Sequence, residues 1–296
     1  MSEGYEAQDV ALFASWGIDM IKVDACSTSE DPETLMLRWH KLLNASGRPI
    51  LFSNCRNGCL SDDESEDRQW APWCSNSTNM WRSSWDIKST WASMLANLGT
   101  LAGRGSYAGP GAWNDPDILE VGVGDFEWDG TLRSLRMNRA HFSMWCITSS
   151  PLLAGNDLRQ DKTSLNITRI LTNRQAIAVN QAYVSNAGDL LSVFNSSATS
   201  TKTDSLEIWL KPLPNSTVAL ALLNRDLDGE TGSFVVNLAD LDPTMLGLLA
   251  DTDTSALSCH VHWIWEEATW TANGEVAVDV AAGSAALLTL SGCAMA

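Results

Sequence analysis

Up to about residue 183 the chain alternates short apolar runs with longer stretches of helical periodicity, and this alternation most restricts its fold. Residues 5–15 carry Val10, Phe13 and Ala14 at helical spacing, and Met20–Asp24 reads as a strand. Asp31-Pro32 opens a helix whose apolar positions Leu35, Met36, Trp39, Leu42 and Leu43 follow the 3.6-residue period, with Gly47 as its stop. Further strands are predicted at 49–53, at Trp81–Ser84, within 112–121 and at Cys146–Leu153. Helices are predicted near Trp91–Leu98 and Thr131–Phe142. Repeated βα alternation means parallel strands joined by helical crossovers. From Val184 onward the pattern changes to β-rich runs such as "EIWLKPL", "TVALALLNR" and "EVAVDVAAGSAALLTL", parted by Asn, Gly, Asp and Pro. That half reads as an antiparallel β-sandwich of roughly 110 residues. The predicted division is therefore 1–183, α/β, and 184–296, all-β.

Three of the predicted strands carry charge at period two towards their C-terminal ends: Met20, Lys22 and Asp24; Arg82, Ser84 and Asp86; Trp113, Asp115 and Asp117. Parallel strands are covered on both faces and usually read as apolar throughout. A lone Asp after a strand is most often the N-cap of the next helix, and a Lys-x-Asp can be a buried ion pair. Three such patterns in one face register point instead to a shared site. In a βα barrel, inward residues at strand C-termini build the active site.

The charge balance is −17, with no basic stripe, which excludes nucleic acid and anionic membrane as partners. No apolar stretch approaches the roughly 20 residues that span a bilayer. Gly103–Gly109 misses the dinucleotide fingerprint by one residue and leads into Pro110, and no G-x-S-x-G occurs. His260-x-His262 lacks companions for a metal, so neither a metal nor a cofactor is expected. Seven cysteines and five N-x-[ST] sequons, at Asn44, Asn76, Asn166, Asn195 and Asn215, point to a secretory route. In that setting Cys55, Cys59 and Cys74 favour a disulfide over zinc. Among the fourteen tryptophans, Trp81 or Trp113 is a candidate to stack on a sugar ring.

"WGIDMIKVDAC", "WRSSWDI", "AGPGAWNDPDILEVG", "SSPLLAGNDLR" and "AIAVNQ" resemble, in order and spacing, the signatures of glycoside hydrolase family 27, the α-galactosidases and α-N-acetylgalactosaminidases. The resemblance covers nearly the whole chain. It implies a (β/α)8 TIM barrel followed by a β-sandwich, here with about the last five βα units of the barrel. It implies Asp24 as nucleophile and Asp86 as acid/base of a retaining hydrolase of terminal α-D-galactosyl residues. Lys22, Arg82 and Asp117 match sugar-binding and pocket positions. Cys55 and Cys74 match a family disulfide, and Cys26 a half-cystine whose partner lies upstream. The family has about three βα units before "GYEAQDVALFASWG", so the resemblance implies an N-terminally truncated chain, which as it stands is expected to lack full activity. It further implies a secreted, lysosomal or vacuolar glycoprotein with a carbohydrate substrate, and leaves homodimer formation open.

One departure bears on substrate. Where the family reads C-E-W-G or similar, this chain has Cys55-Arg56-Asn57-Gly58-Cys59, placing Arg56 at the selectivity position. N-acetylgalactosaminide and β-L-arabinopyranoside therefore stay open as substrates, as does an inactive, carbohydrate-binding homologue. With sequential strands, Asp24 and Asp86 are next-but-one neighbours. Their Cα atoms are then roughly 10 Å apart and their carboxyl groups roughly 5 Å, the spacing of retaining chemistry. Lys22 is expected to neighbour the nucleophile. Asp86 must start protonated, which calls for burial or for neighbouring carboxylates such as Asp117.

Overall fold

The computed structural model describes residues 2–24, 30–55, 59, 73–159, 163–194, 205–250 and 256–295. Cys26, Arg56 and the Asn195 sequon lie outside the described residues. The first half contains α1 (Glu6–Ser15), β1 (Met20–Val23), α2 (Pro32–Ala45), β2 (Leu51–Asn54), α3 (Trp73–Ser77), β3 (Met80–Arg82), α4 (Trp91–Gly99) and β4 (Trp113–Asp115). After these come α5 (Leu132–Ile147), α6 (Leu165–Leu171) and α7 (Arg174–Gln181). Local chemistry sets the helix starts. Asp31, Thr90, Thr131, Ser164 and Asn173 each accept a backbone N–H of the first turn of α2, α4, α5, α6 and α7, satisfying donors that would otherwise lack a partner. Pro32 occupies the first turn of α2, where its missing N–H costs nothing.

The four strands form one parallel sheet in the order β1-β2-β3-β4, as sequential barrel strands require. Lys22 pairs with Ser53, Ser53 with Met80 and Met80 with Trp113; Val23, Asn54, Trp81 and Asn114 form the next row. The expected strand at Cys146–Leu153 is reduced to one parallel bridge, Leu119 to Ala154. Here α5 continues to Ile147, and the chain turns through Ser149 at φ 53° before Pro151, which has no N–H to offer a ladder. Leu119 N–H donates to Leu153 O at 2.8 Å, and Gly155 N–H to Leu119 O at 2.9 Å. These elements form an open, partial βα barrel, with β1 at one edge.

The second half contains β5 (Asp189–Phe194), β6 (Leu206–Leu213), β7 (Thr217–Asn224), β8 (Gly232–Asn237), β9 (Leu257–Trp263), β10 (Ala268–Asn273), β11 (Glu275–Val280) and β12 (Ser284–Met295). A six-stranded antiparallel sheet of order β10-β9-β12-β7-β6-β5 faces a two-stranded sheet of β8 and β11. Period two sorts β7 into two cores. Val218, Leu220 and Leu222 pack towards Phe234, Val276 and Val278, while Ala219, Ala221 and Leu223 turn to the helix α5. That is why β7 is buried on both faces. The alanines, with Ala285 on β12, leave room for α5, which is buried continuously from Ala140 to Ile147. Cys259 and Cys293 form a disulfide between β9 and β12, where the ladder shifts and Gly292 takes φ 58°.

One buried cation fastens the two halves. The Lys211 side chain reaches from β6 across the junction, and its Nζ donates to Ser149 Oγ, to Val179 O at 2.6 Å and to Asn180 O at 3.1 Å. Those carbonyls end α7, where helix geometry leaves acceptors without an intrahelical donor. Burial lowers the Lys211 ammonium from 10.5 to about 8. Beside it the Cys146 thiol is free, fully buried and raised above its ordinary value by that burial.

Candidate active site

The C-terminal ends of β1, β2, β3 and β4 bring the predicted residues to one end of the sheet. One step beyond the row Val23–Asn54–Trp81–Asn114 come Asp24, Cys55, Arg82 and Asp115; the last two are themselves register partners. Neighbouring positions in a parallel row face the same side, so this row is the floor of the candidate site. Cys55 lies at its middle. Its thiol is 3.6 Å from Arg82 Nη1, and burial raises its pKa, opposed by Lys22 and Arg82 and reinforced by Asp24. The two halves of the site therefore meet at the end of β2.

Arg82 organises the second half. Its side chain is only 3% exposed and its guanidinium forks between two carboxylates: Nη2 to Asp117 Oδ2 at 2.8 Å and Nη1 to Asp86 Oδ1 at 3.2 Å. Nη2 also donates to Ser84 O at 3.3 Å, so the arginine holds the backbone of the loop that carries Asp86. The planar donor fork fits this task in a way a lysine cannot.

Asp117 is held at every polar atom. Its Oδ2 accepts from Ile87 N–H and its Oδ1 from Ile118 N–H, each at 2.8 Å. Its N–H donates to Asp115 Oδ1, and its carbonyl accepts from Trp145 Nε1 at 2.8 Å. It sits at φ 86°, a backbone region that costs a non-glycine residue roughly 1–3 kcal/mol and persists only where the surroundings over-determine it. Asp115, buried beneath, is raised from 3.8 by desolvation, opposed by the Asp117 N–H and the Arg82 charge. Burial, with help from Asp117, likewise raises Glu120.

Behind Trp145 lies a residue no sequence signal picked out. His141 on α5 is fully buried between Phe126, at 5.0 Å between ring centroids, and Trp145, at 4.3 Å. Among the described residues neither ring nitrogen has a hydrogen-bond partner, and desolvation drops its pKa from 6.5 to about 3. Asn97, 5% exposed on α4, was equally silent. Its Nδ2 donates to Trp85 O at 3.1 Å and to Pro116 O at 2.9 Å, tying the loop after β3 to the loop after β4.

Several expectations need correction. Cys74 pairs with Cys59, at 5.7 Å between Cα atoms, and Cys55 is free. Asn54 and Cys55 are consecutive and so face opposite sides of the sheet. Asn54 Nδ2 lies 3.3 Å from Cys59 Sγ on the Cys74 side, while Cys55 turns to Arg82. Asp86 is not on a strand: β3 ends at Arg82, and the Asp86 side chain is 93% exposed in the following loop. Burial by the protein is thus not what this carboxyl receives, and strand spacing does not set its distance from Asp24. Trp113 opens β4 at the other end of the sheet. Its ring stands edge-on to Tyr183 at 5.8 Å, and it lines a cleft with Asp19, Leu51 and Asn79. Trp81 is fully buried, its Nε1 donating to Asn114 Oδ1. Neither tryptophan is brought to the carboxylates.

Comparison with known proteins gives the family. Residues 2–182 match the family described as Alpha galactosidase A. The chain belongs to this family. Residues 203–290 match the alpha galactosidase C-terminal beta sandwich domain. The chain is 39% identical over 226 residues to alpha-galactosidase 2 of Arabidopsis thaliana, covering 76% of this chain and 50% of that protein. It is 34% identical over 282 residues to the alpha-galactosidase of Cyamopsis tetragonoloba, covering 94% and 59%. The fold matches the crystal structure of alpha-galactosidase I from Mortierella vinacea with a TM-score of 0.76 at 24% identity, over 97% of this chain and 71% of that one. The chain thus spans about half the length of the curated relatives it matches.

Proposed function

We propose that this α-galactosidase-family protein hydrolyses terminal α-D-galactosides with retention, Asp24 acting as nucleophile and Asp86 as acid/base. The observation that carries the reading is the row Asp24–Cys55–Arg82–Asp115, with Asp86 and Asp117 held on the Arg82 guanidinium. A glycosidase needs one carboxylate to attack the anomeric carbon and one carboxylic acid to protonate the leaving oxygen. Asp24, on the strand row, attacks and forms a covalent glycosyl-enzyme while the bond to the leaving oxygen breaks. Asp86 gives that oxygen its proton, then takes one from the water that releases the sugar. Since Asp86 is exposed, the bound glycoside itself has to cover it. Arg82 sets where the carboxyl stands, and Asp117 holds Arg82 from the other side. Lys22, two residues before Asp24 on the same strand face, offers its ammonium to the sugar hydroxyls.

With this reading go a catalytic segment at 1–183 and a sandwich at 184–296. A secreted, lysosomal or vacuolar location fits the two disulfides and the exposed sequon asparagines Asn44, Asn76 and Asn215. Among the described residues, no helix is long and apolar enough to cross a membrane. The test is Asp24→Asn assayed on an aryl α-galactoside. Loss of turnover, with azide restoring product release as an inverted glycosyl azide, supports the reading. Full activity in the variant sinks it.

A further inference from the structure

Among the described tryptophans only Trp16, at 64%, and Trp85, at 81%, are exposed, and of the two Trp85 stands at the candidate site. The rest fill cores or stand half-buried between elements. A ring this large left in water forgoes the burial that places most tryptophans inside. Trp85 precedes Asp86, whose side chain is 93% exposed, so the two project from one short loop.

That loop is pinned on each side of the ring. Arg82 Nη2 holds Ser84 O, the buried Asn97 holds Trp85 O, and Asp117 Oδ2 holds Ile87 N–H. A fixed backbone presenting a free indole is the arrangement of a stacking platform, because little ordering remains to be lost when a ligand arrives. Its place says which part of a ligand it meets. The acid/base must face the glycosidic oxygen. The sugar being cleaved lies over the row from Asp24 to Asp115, at the strand ends. The leaving group extends from the same oxygen away from that row, on the side of the exposed loop.

We propose that Trp85 is the platform for the leaving-group sugar, its indole face packing on the C–H face of the pyranose beyond the scissile bond. The proposal rests on the glycosidase reading above. It makes Trp85 a specificity residue that favours galactosides of other sugars over those with small leaving groups.

The test compares two substrates in the full chain, in wild type, Trp85→Ala and Trp85→Phe. One is a galactose α-1,6-linked to glucose; the other is α-galactosyl fluoride, whose leaving group cannot stack. Trp85→Ala is expected to lower kcat/KM for the disaccharide roughly three- to tenfold, the range of an aromatic contact. The fluoride should stay within about twofold, and Trp85→Phe should recover most of the loss. Equal losses on both substrates would make Trp85 a support of the loop and overturn the platform. No loss on the disaccharide overturns it as well. In either case wild-type turnover of the fluoride leaves the glycosidase reading standing. Wild type cleaving neither substrate, and binding neither galactose nor the disaccharide in saturation-transfer NMR, refutes the reading and the platform together.

Discussion

The two halves of the candidate site are built on opposite plans. The acid/base corner is wired from within. Arg82 is buried and bonded to two carboxylates, Asp117 is satisfied at every polar atom, and Asn97 and Trp145 hold the two loops from behind. The nucleophile edge is open. Lys22 lies exposed on β1, Met20 is 37% exposed, and the cleft beside Asp24 is lined by Phe13, Ile21, Leu35 and Trp39. Substitutions in the corner should therefore damage fold and function together, while those at the edge should damage function alone.

Asp24→Asn sharpens that contrast most. Turnover should fall on the order of 10⁴-fold, the scale of losing a member of a catalytic constellation. Stability should fall by far less than it does for a substitution in the corner. Urea unfolding beside an aryl-galactoside assay checks both, and an Asp24→Asn destabilised as much as a corner variant would break the comparison. Arg82→Met should do the reverse in stability. It strands the Asp117 charge in the interior, at a cost of about 3–5 kcal/mol, and frees Asp86 from its anchor. Arg82→Met unfolding at the wild-type urea midpoint would show that the corner is not held by this guanidinium.

His141 gives the corner a pH dependence. Its folded value of about 3 lies below the ordinary 6.5, so the unfolded chain binds more protons between them. The stability linked to its neutral form is complete above about pH 6.5 and is lost as the pH falls towards about 3. His141→Phe should flatten that acid limb in melting temperatures taken from pH 7 down to 3.5. An unchanged limb would locate acid sensitivity elsewhere. The smallest effect is expected from Asn97→Ala. Removing one buried donor shared by Trp85 O and Pro116 O should cost about 1–3 kcal/mol. It should also raise amide exchange in the loop after β3, and unchanged exchange there would mean that the loop is pinned by Arg82 alone.

The sequence exposed much of this, with a boundary that has a physical cause. Lys22, Asp24 and Arg82 were legible because charge at strand ends violates the apolar rule for parallel strands. The same period-two count misplaced Asp86 and Asp117, since it runs on past the residues where the backbone leaves the extended region. β3 stops at Arg82, and Asp117 turns to φ 86°. The Cys55–Cys74 pairing fails because Cys74 on α3 lies on the Asn54 side of β2, and the side a helix takes is not written in strand alternation. Trp85 had a signal, its place beside Asp86 in a run of serines outside any apolar pattern. His141 and Asn97 had none: a buried polar residue on a helix reads the same whether it braces a site or fills a core. The missing fifth strand was hidden by α5, whose apolar run continues straight into the predicted strand.

On the proposed reading, Asp24 after β1 and Asp86 in the loop after β3 cleave a galactoside by two displacements. The most direct measurement is proton NMR of the anomeric signal during early turnover of an aryl α-galactoside, before mutarotation mixes the anomers. Two displacements release α-galactose first. First-formed β-galactose would mean a single displacement by water, and would contradict a covalent intermediate on Asp24.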